Sequence, residues 1–246
     1  NMTELLYQAD SYIQSFSATV TSIDNENRGL ALDRTAFYPG GGGQPADQGS
    51  LVINNMTYPV SRAKKIGDQV YHYLGSELPL PIVGSEVVGQ IDWDRRYKLM
   101  RTHTAMHVLC GVIFRDYGAS VTGGDMDPLK GRMDFEFETL QRDLVDDIQS
   151  AINSEVDNAR PVRIKILPRE EAFKIPDLIR TKINLLPEGI SQVRVVEIVG
   201  LDLQADGGTH VGNTSEVGFI RVVDYKSKGK INKRIYVEVG DKETIE

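Results

Sequence analysis

Between Ser17 and about Asp92 apolar and polar residues alternate in short runs: SATVTSI, GLALD, SLVIN, MTYPV, QVYHYL and EVVGQID. Turn-forming residues such as Asp24-Asn25-Glu26-Asn27 and Asn54-Asn55 separate them. A period of two puts every second side chain on one face of a strand, and short strands at this spacing predict a small antiparallel β-barrel. After Trp93 the period changes. Met106, Cys110, Ile113 and Tyr117 recur at intervals of three and four, with Leu109 and Phe114 beside them, which predicts a buried or half-buried helix from Arg95 to Tyr117. A second amphipathic stretch runs from Leu140 through Leu144, Ile148, Ile152 and Val156, with Thr139 as its expected N-cap and Pro161 beyond its end. Strands are expected at RMDFEF, VRIKIL, VRVVEIV, GFIRVVDY and KRIYVEV, the last two joined by a lysine-rich turn. Strands and helices mix without strict βαβ alternation, so the fold class is α+β. The expected organisation is a barrel domain over residues 1–91, then an α+β domain over 92–246 with helices packed on a largely antiparallel sheet.

Composition narrows the setting. Asn1 ahead of Met2 reads as an appended residue, and no long apolar run follows it. Cys110 is the only cysteine, so no disulfide can form within the chain. A cytoplasmic, reducing setting with no membrane partner is the expectation. The net charge of -7 argues against nonspecific coating of nucleic acid, DNA included, but leaves room for local basic patches. Two clusters stand out: Arg95, Arg96, Lys98 and Arg101, then Lys226, Lys228, Lys230, Lys233 and Arg234. Each either holds a phosphate backbone or is ordinary solvated charge.

The chemistry concentrates in the histidines, of which there are four. His103 and His107 lie four residues apart in the expected helix, so both imidazoles share one face with Cβ atoms ~6 Å apart, close enough to hold one metal ion. The motif lacks the glutamate after the first histidine that zincin peptidases use as a base. His210 ends Asp206-Gly207-Gly208-Thr209-His210, where two glycines suit a tight loop turning acid and histidine toward one point. Three histidines could hold zinc with its fourth position open, or Asp206 could complete the set or orient a histidine from behind. Structural histidines are the competing reading. His72, in Tyr71-His72-Tyr73 of a barrel strand, reads as structural, and Cys110, in an apolar helix without a cationic neighbour, reads as inert. The run Phe37-Tyr38-Pro39-Gly40-Gly41-Gly42-Gly43-Gln44-Pro45 is either a flexible loop or an ordered one that lets the main chain approach a ligand closely.

Taken together, Thr35 to Asp47 resembles the glycine-rich signature of the alanyl-tRNA synthetase editing region. Arg101-Thr102-His103-Thr104-Ala105-Met106-His107 resembles its first metal motif, and Asp206-Gly207-Gly208-Thr209-His210-Val211 its second. Lys228-Gly229-Lys230-Ile231-Asn232-Lys233-Arg234-Ile235 resembles the closing strand region, and the order matches over nearly the whole chain. The absence of a class II synthetase core makes the resemblance one to the freestanding AlaX family with an N-terminal barrel. Members of that family often carry cysteine where this chain has Asp206.

The resemblance implies zinc-dependent hydrolysis of a wrongly attached amino acid, serine above all with glycine as a second candidate, from the terminal adenosine of alanine tRNA. It implies one zinc ion per chain at His103, His107 and His210, with Asp206 as a fourth ligand or its support. Gly41, Gly42, Gly43, Gln44 and Arg101 are expected to bind substrate, and Thr122 to contact the serine hydroxyl, unless it is an ordinary loop threonine. The rivals are editing of another aminoacyl-tRNA, of the threonyl type, and a catalytically idle tRNA-binding module.

Overall fold

A computed structural model describes residues 2–176, 178 and 189–242. The chain divides into two compact units, residues 1–97 and 98–246.

In the first unit β1 (Glu4–Leu5) pairs in parallel with β4 (Arg34–Thr35). The remaining strands are β2 (Ser15–Asp24), β3 (Gly29–Leu32), β5 (Gly49–Ile53), β6 (Met56–Ile66), β7 (Gln69–Leu74) and β8 (Glu86–Ile91). They close into a barrel of order β2-β3-β7-β6-β5-β8, every neighbouring pair antiparallel. The alternating residues of the sequence fill it: Phe16, Val20, Leu30, Leu32, Phe37, Leu51, Ile53, Tyr58, Val60 and Val70 form one buried cluster. Closure leaves no exposed strand edge in the ring.

The main helix, α1, spans Trp93–Tyr117, with its residues from Lys98 onward in the second unit. Next come β9 (Val121–Asp127), β10 (Lys130–Glu136), α2 (Arg142–Asp157), β11 (Val162–Pro168), α3 (Arg169–Ala172), β12 (Gln192–Ile198), β13 (Asp202–Ala205), β14 (Phe219–Ser227) and β15 (Asn232–Gly240). Two antiparallel sheets result, of order β14-β15-β10-β9 and β11-β12-β13. The α+β class is therefore as expected. Among the described residues no helix is long and apolar enough to cross a membrane.

Two local expectations need correction. Helix α2 begins at Arg142, so Thr139 is out of register; its N-cap is Gln141, which makes no side-chain cap hydrogen bond. The apolar register decides the start instead, burying Val145, Ile148, Ile152 and Val156. Glu155 is buried in the same helix because Arg115 and Arg160 both pair with it. On the far side of α2, Asn153 bonds the Ile220 amide and carbonyl and Gln149 accepts from the Val222 amide, satisfying the open edge of β14. Thr122, for which an ordinary loop threonine is the alternative reading, lies on β9 instead of in a loop. Gly124 serves packing: a Cβ there would stand 2.4 Å from Met133 Sδ and 3.2 Å from Met106 Cε of α1.

His72 is fully buried in the barrel, with Nε2 2.7 Å from Thr35 Oγ1 and Nδ1 2.9 Å from the Leu30 carbonyl. Burial brings its pKa down to about 4, the Leu30 bond opposing the shift only in part. The unfolded chain, at the ordinary 6.5, binds a proton that the folded barrel rejects. Stability from the neutral ring is thus complete above pH ~6.5 and lost as pH falls toward the folded value, by about 3 kcal/mol. Denaturant unfolding at pH 7 and pH 4 should show His72→Gln losing about 3 kcal/mol less than the unsubstituted protein. Equal losses would remove His72 as the cause.

Candidate metal centre

Helix α1 presents His103 and His107 one turn apart, both at least 95% buried, their ring centroids 4.9 Å apart. His210 closes the group at 4.1 Å from His103 and 4.6 Å from His107. Asp206 lies among them, with Oδ2 2.7 Å from His210 Nε2 and Oδ1 3.4 Å from His103 Nε2. One ligand atom from each of the four residues falls within 4.8 Å of all the others. Tetrahedral zinc with bonds near 2.1 Å would bring such atoms to ~3.4 Å, so a modest contraction suffices. Three imidazoles and a carboxylate, with no thiolate, form an acceptable donor set for a divalent transition metal.

The polar atoms behind the ligands fix their orientation. Thr104, between the two helical histidines, has Oγ1 2.9 Å from His210 Nδ1 and also accepts from the Val211 amide. Asp202, on β13, has Oδ2 3.5 Å from His107 Nδ1 and accepts from Gln204 Nε2 at 2.9 Å. Both arrangements leave the opposite ring nitrogen for the centre of the cluster. The loop from Asp206 to His210 is held by its own bond from the Gly208 amide to Asp206 Oδ2, at 3.3 Å. Arg194 of β12 donates from Nη1 to the Asp206 and Gly208 carbonyls.

Electrostatics keep most of the set in a ligating form. Burial pushes His103 below the ordinary histidine value, although Asp206 opposes it, and pushes His210 well below. Burial also opposes charge on His107, but the Asp202 carboxylate 3.5 Å away and the nearby Asp206 outweigh it and raise its pKa. Asp206 stays well below the usual carboxylate range despite its burial, because His103 and His210 face it.

The other expected residues lie as follows. Gly40, Gly41, Gly42 and Gly43 all have positive φ, and Gly41 and Gln44 exchange backbone hydrogen bonds at 3.1 Å. Tyr38 Oη donates to the Gly41 carbonyl at 2.7 Å. The glycine-rich run is thus an ordered turn, with Gln44 itself buried. Arg101 donates to the Val217 carbonyl. Thr122 Oγ1 donates to Asn232 Oδ1 at 3.0 Å. Cys110 is buried.

Arg96 does not belong to a solvated basic patch. It is fully buried, ion-paired with Asp47 and donating to the Ser11 and Ala36 carbonyls. Successive helical residues point about 100° apart, so a charge cluster in sequence does not share one face. Lys233 is likewise buried and donates to the Gly229 and Lys230 carbonyls, whereas Lys226, Lys228 and Lys230 are exposed.

Sequence reasoning missed Thr104, Gly111, Arg194, Asp202 and Gln204. An arginine inside the apolar run VRVVEIV is itself a signal, since a buried charge needs partners. Gly111 marks a close approach to the chain leading into β13: a Cβ there would stand 2.7 Å from Leu201 Cγ, 3.0 Å from the Leu201 carbonyl oxygen and 3.1 Å from Asp202 Cβ. That approach sets Asp202 beside His107. In an open helix Gly→Ala stabilises by about 1 kcal/mol. Here Gly111→Ala should destabilise by about 1–3 kcal/mol through overpacking. A lower melting temperature is expected; a higher one would contradict the close approach.

Among known families, the threonyl and alanyl tRNA synthetase second additional domain matches residues 193–236, and class II (A) tRNA synthetases match residues 7–95. The alanyl-tRNA editing protein AlaX-M of Saccharolobus solfataricus is 41% identical over 242 residues, spanning 97% of this chain and 99% of that protein. AlaX-M of Methanosarcina barkeri is 36% identical over 244 residues, spanning 98% and 100%. An alanine–tRNA ligase of Ignicoccus hospitalis is 37% identical over 227 residues, 90% of this chain but 24% of the ligase.

Proposed function

Because the chain belongs to the AlaX-M family of alanyl-tRNA editing proteins, we propose that it hydrolyses the ester joining serine, and secondarily glycine, to the terminal adenosine of alanine tRNA. Zinc is the proposed cofactor, one ion per chain, held by His103, His107, His210 and Asp206. The observation that carries the reading is the convergence of three buried histidines and the half-buried Asp206. When bound, zinc would supply Lewis-acid polarisation or an anchor for the substrate amino group, either of which needs a coordination position beyond those the four donors fill.

The protein's own groups do the rest. Burial of the cluster excludes bulk water and strengthens its electrostatics. Thr104 holds the His210 ring through its hydrogen bond, and the Asp202 carboxylate faces His107 Nδ1 at 3.5 Å. The ordered glycine turn is proposed to bind the terminal nucleotide through Gly41, Gly42, Gly43 and Gln44; no side chain on the three glycines hinders a ligand's approach to their backbone. Arg101 is the proposed substrate cation. Thr122 is assigned to the serine hydroxyl: its own proton goes to Asn232, which leaves oxygen lone pairs to accept one. A site built on such a bond discriminates by ~10⁴ or more, because alanine leaves the polar partner unpaired. A cytoplasmic setting is part of the same proposal, since the substrate is charged tRNA.

The test is deacylation of seryl- and alanyl-tRNA for alanine by the zinc-loaded protein, beside His103→Ala/His107→Ala and Thr122→Val. The seryl ester should be hydrolysed and the alanyl ester spared, with activity lost in the double variant and selectivity narrowed in Thr122→Val. Hydrolysis of seryl-tRNA for threonine instead would indicate threonyl-type editing, and no hydrolysis would indicate a binding module. Unchanged selectivity in Thr122→Val would remove Thr122 from the mechanism.

A further inference from the structure

We infer that Arg194 is the positioning residue of the metal centre, acting by gripping the loop that carries two of its four donors. The inference rests on the reading of His103, His107, Asp206 and His210 as a metal site.

Arg194 lies on β12, the middle strand of its sheet, and is only 8% exposed. Beyond the last β12–β13 pair, Val195↔Ala205, its carbonyl accepts from the Asp206 amide at 3.1 Å. The main chain therefore stays attached for one residue more, up to the first donor. The side chain then takes over: Nη1 donates to the Asp206 carbonyl at 2.9 Å and to the Gly208 carbonyl at 2.8 Å. These bonds bracket Gly207, in a loop whose adjacent glycines would otherwise carry large backbone freedom. A planar guanidinium with a fixed fork suits this task better than a flexible ammonium.

Charge gives the inference a sign. A buried cation beside a cation site repels the ion, so an arginine acting only through its charge would weaken metal binding. An arginine acting by position strengthens it, because the loop is already shaped when the ion arrives. The substitution Arg194→Met removes the charge and both carbonyl bonds while keeping the apolar stem. The two roles then predict opposite changes.

The experiment measures Zn2+ affinity by competition with a chromophoric chelator, with melting of the metal-free proteins read alongside. For Arg194→Met the affinity should fall about 10–100-fold, the range typical of groups that orient ligands from behind. Unchanged or tighter binding overturns the inference, and a drop confined to the metal-free melting temperature overturns it too, as the mark of a purely structural role. If Arg194→Met does not fold, Arg194→Lys takes its place. Charge is kept there, so weaker binding reports the lost grip and unchanged binding overturns it. Failure of the unsubstituted protein to bind Zn2+ would overturn the metal site itself, and the inference with it.

Discussion

Three buried histidines and a half-buried aspartate meet at one point, and the groups around them make that tolerable. An imidazole or carboxylate taken out of water is costly unless a partner meets it. His103 and His107 arrive on a rigid helix, but Asp206 and His210 arrive on a loop, and the two must meet within a few ångströms. Gly111 permits the approach by omitting a side chain, which brings Asp202 to His107. Thr104, the residue after His103, ties His210 to the same helix. Arg194 holds the loop from the sheet side.

The first unit solves a different problem with the same economy. Four consecutive glycines at positive φ would be disordered in isolation, yet here the turn is bounded on both sides. Tyr38 and Asp47 exchange hydrogen bonds across its base, from Tyr38 N to Asp47 Oδ2 and from Asp47 N to Tyr38 O. The Asp47 carboxylate is fixed in turn by Arg96. A buried ion pair is weak evidence of net stability, but removing one partner would strand the other charge. Its effect here is to define the base of the turn.

The sequence made some of this legible and hid the rest for physical reasons. Barrel strands were readable because one buried face forces period-two alternation, and the histidine pair because helical spacing is a local property. The third histidine and Asp206 were readable only as a loop motif, with Asp206 open between ligand and support. Arg194 and Asp202 were not readable, because their partners are set by tertiary approach: the carbonyls that Arg194 grips lie 12 and 14 residues away. Arg96 was misread as surface charge because linear clustering says nothing about which way each side chain turns on a helix. Thr139 failed as a cap because core register, not the nearest capping residue, set where α2 begins.

The central claim is that His103, His107, His210 and Asp206 act together as one ligand set. X-ray absorption on the zinc-loaded protein tests it most directly. The account predicts one equivalent of zinc with a shell of nitrogen and oxygen only at ~2.0–2.1 Å, its imidazole scattering reduced in His210→Ala. A sulfur shell at ~2.3 Å, or imidazole scattering unchanged in that variant, would contradict it.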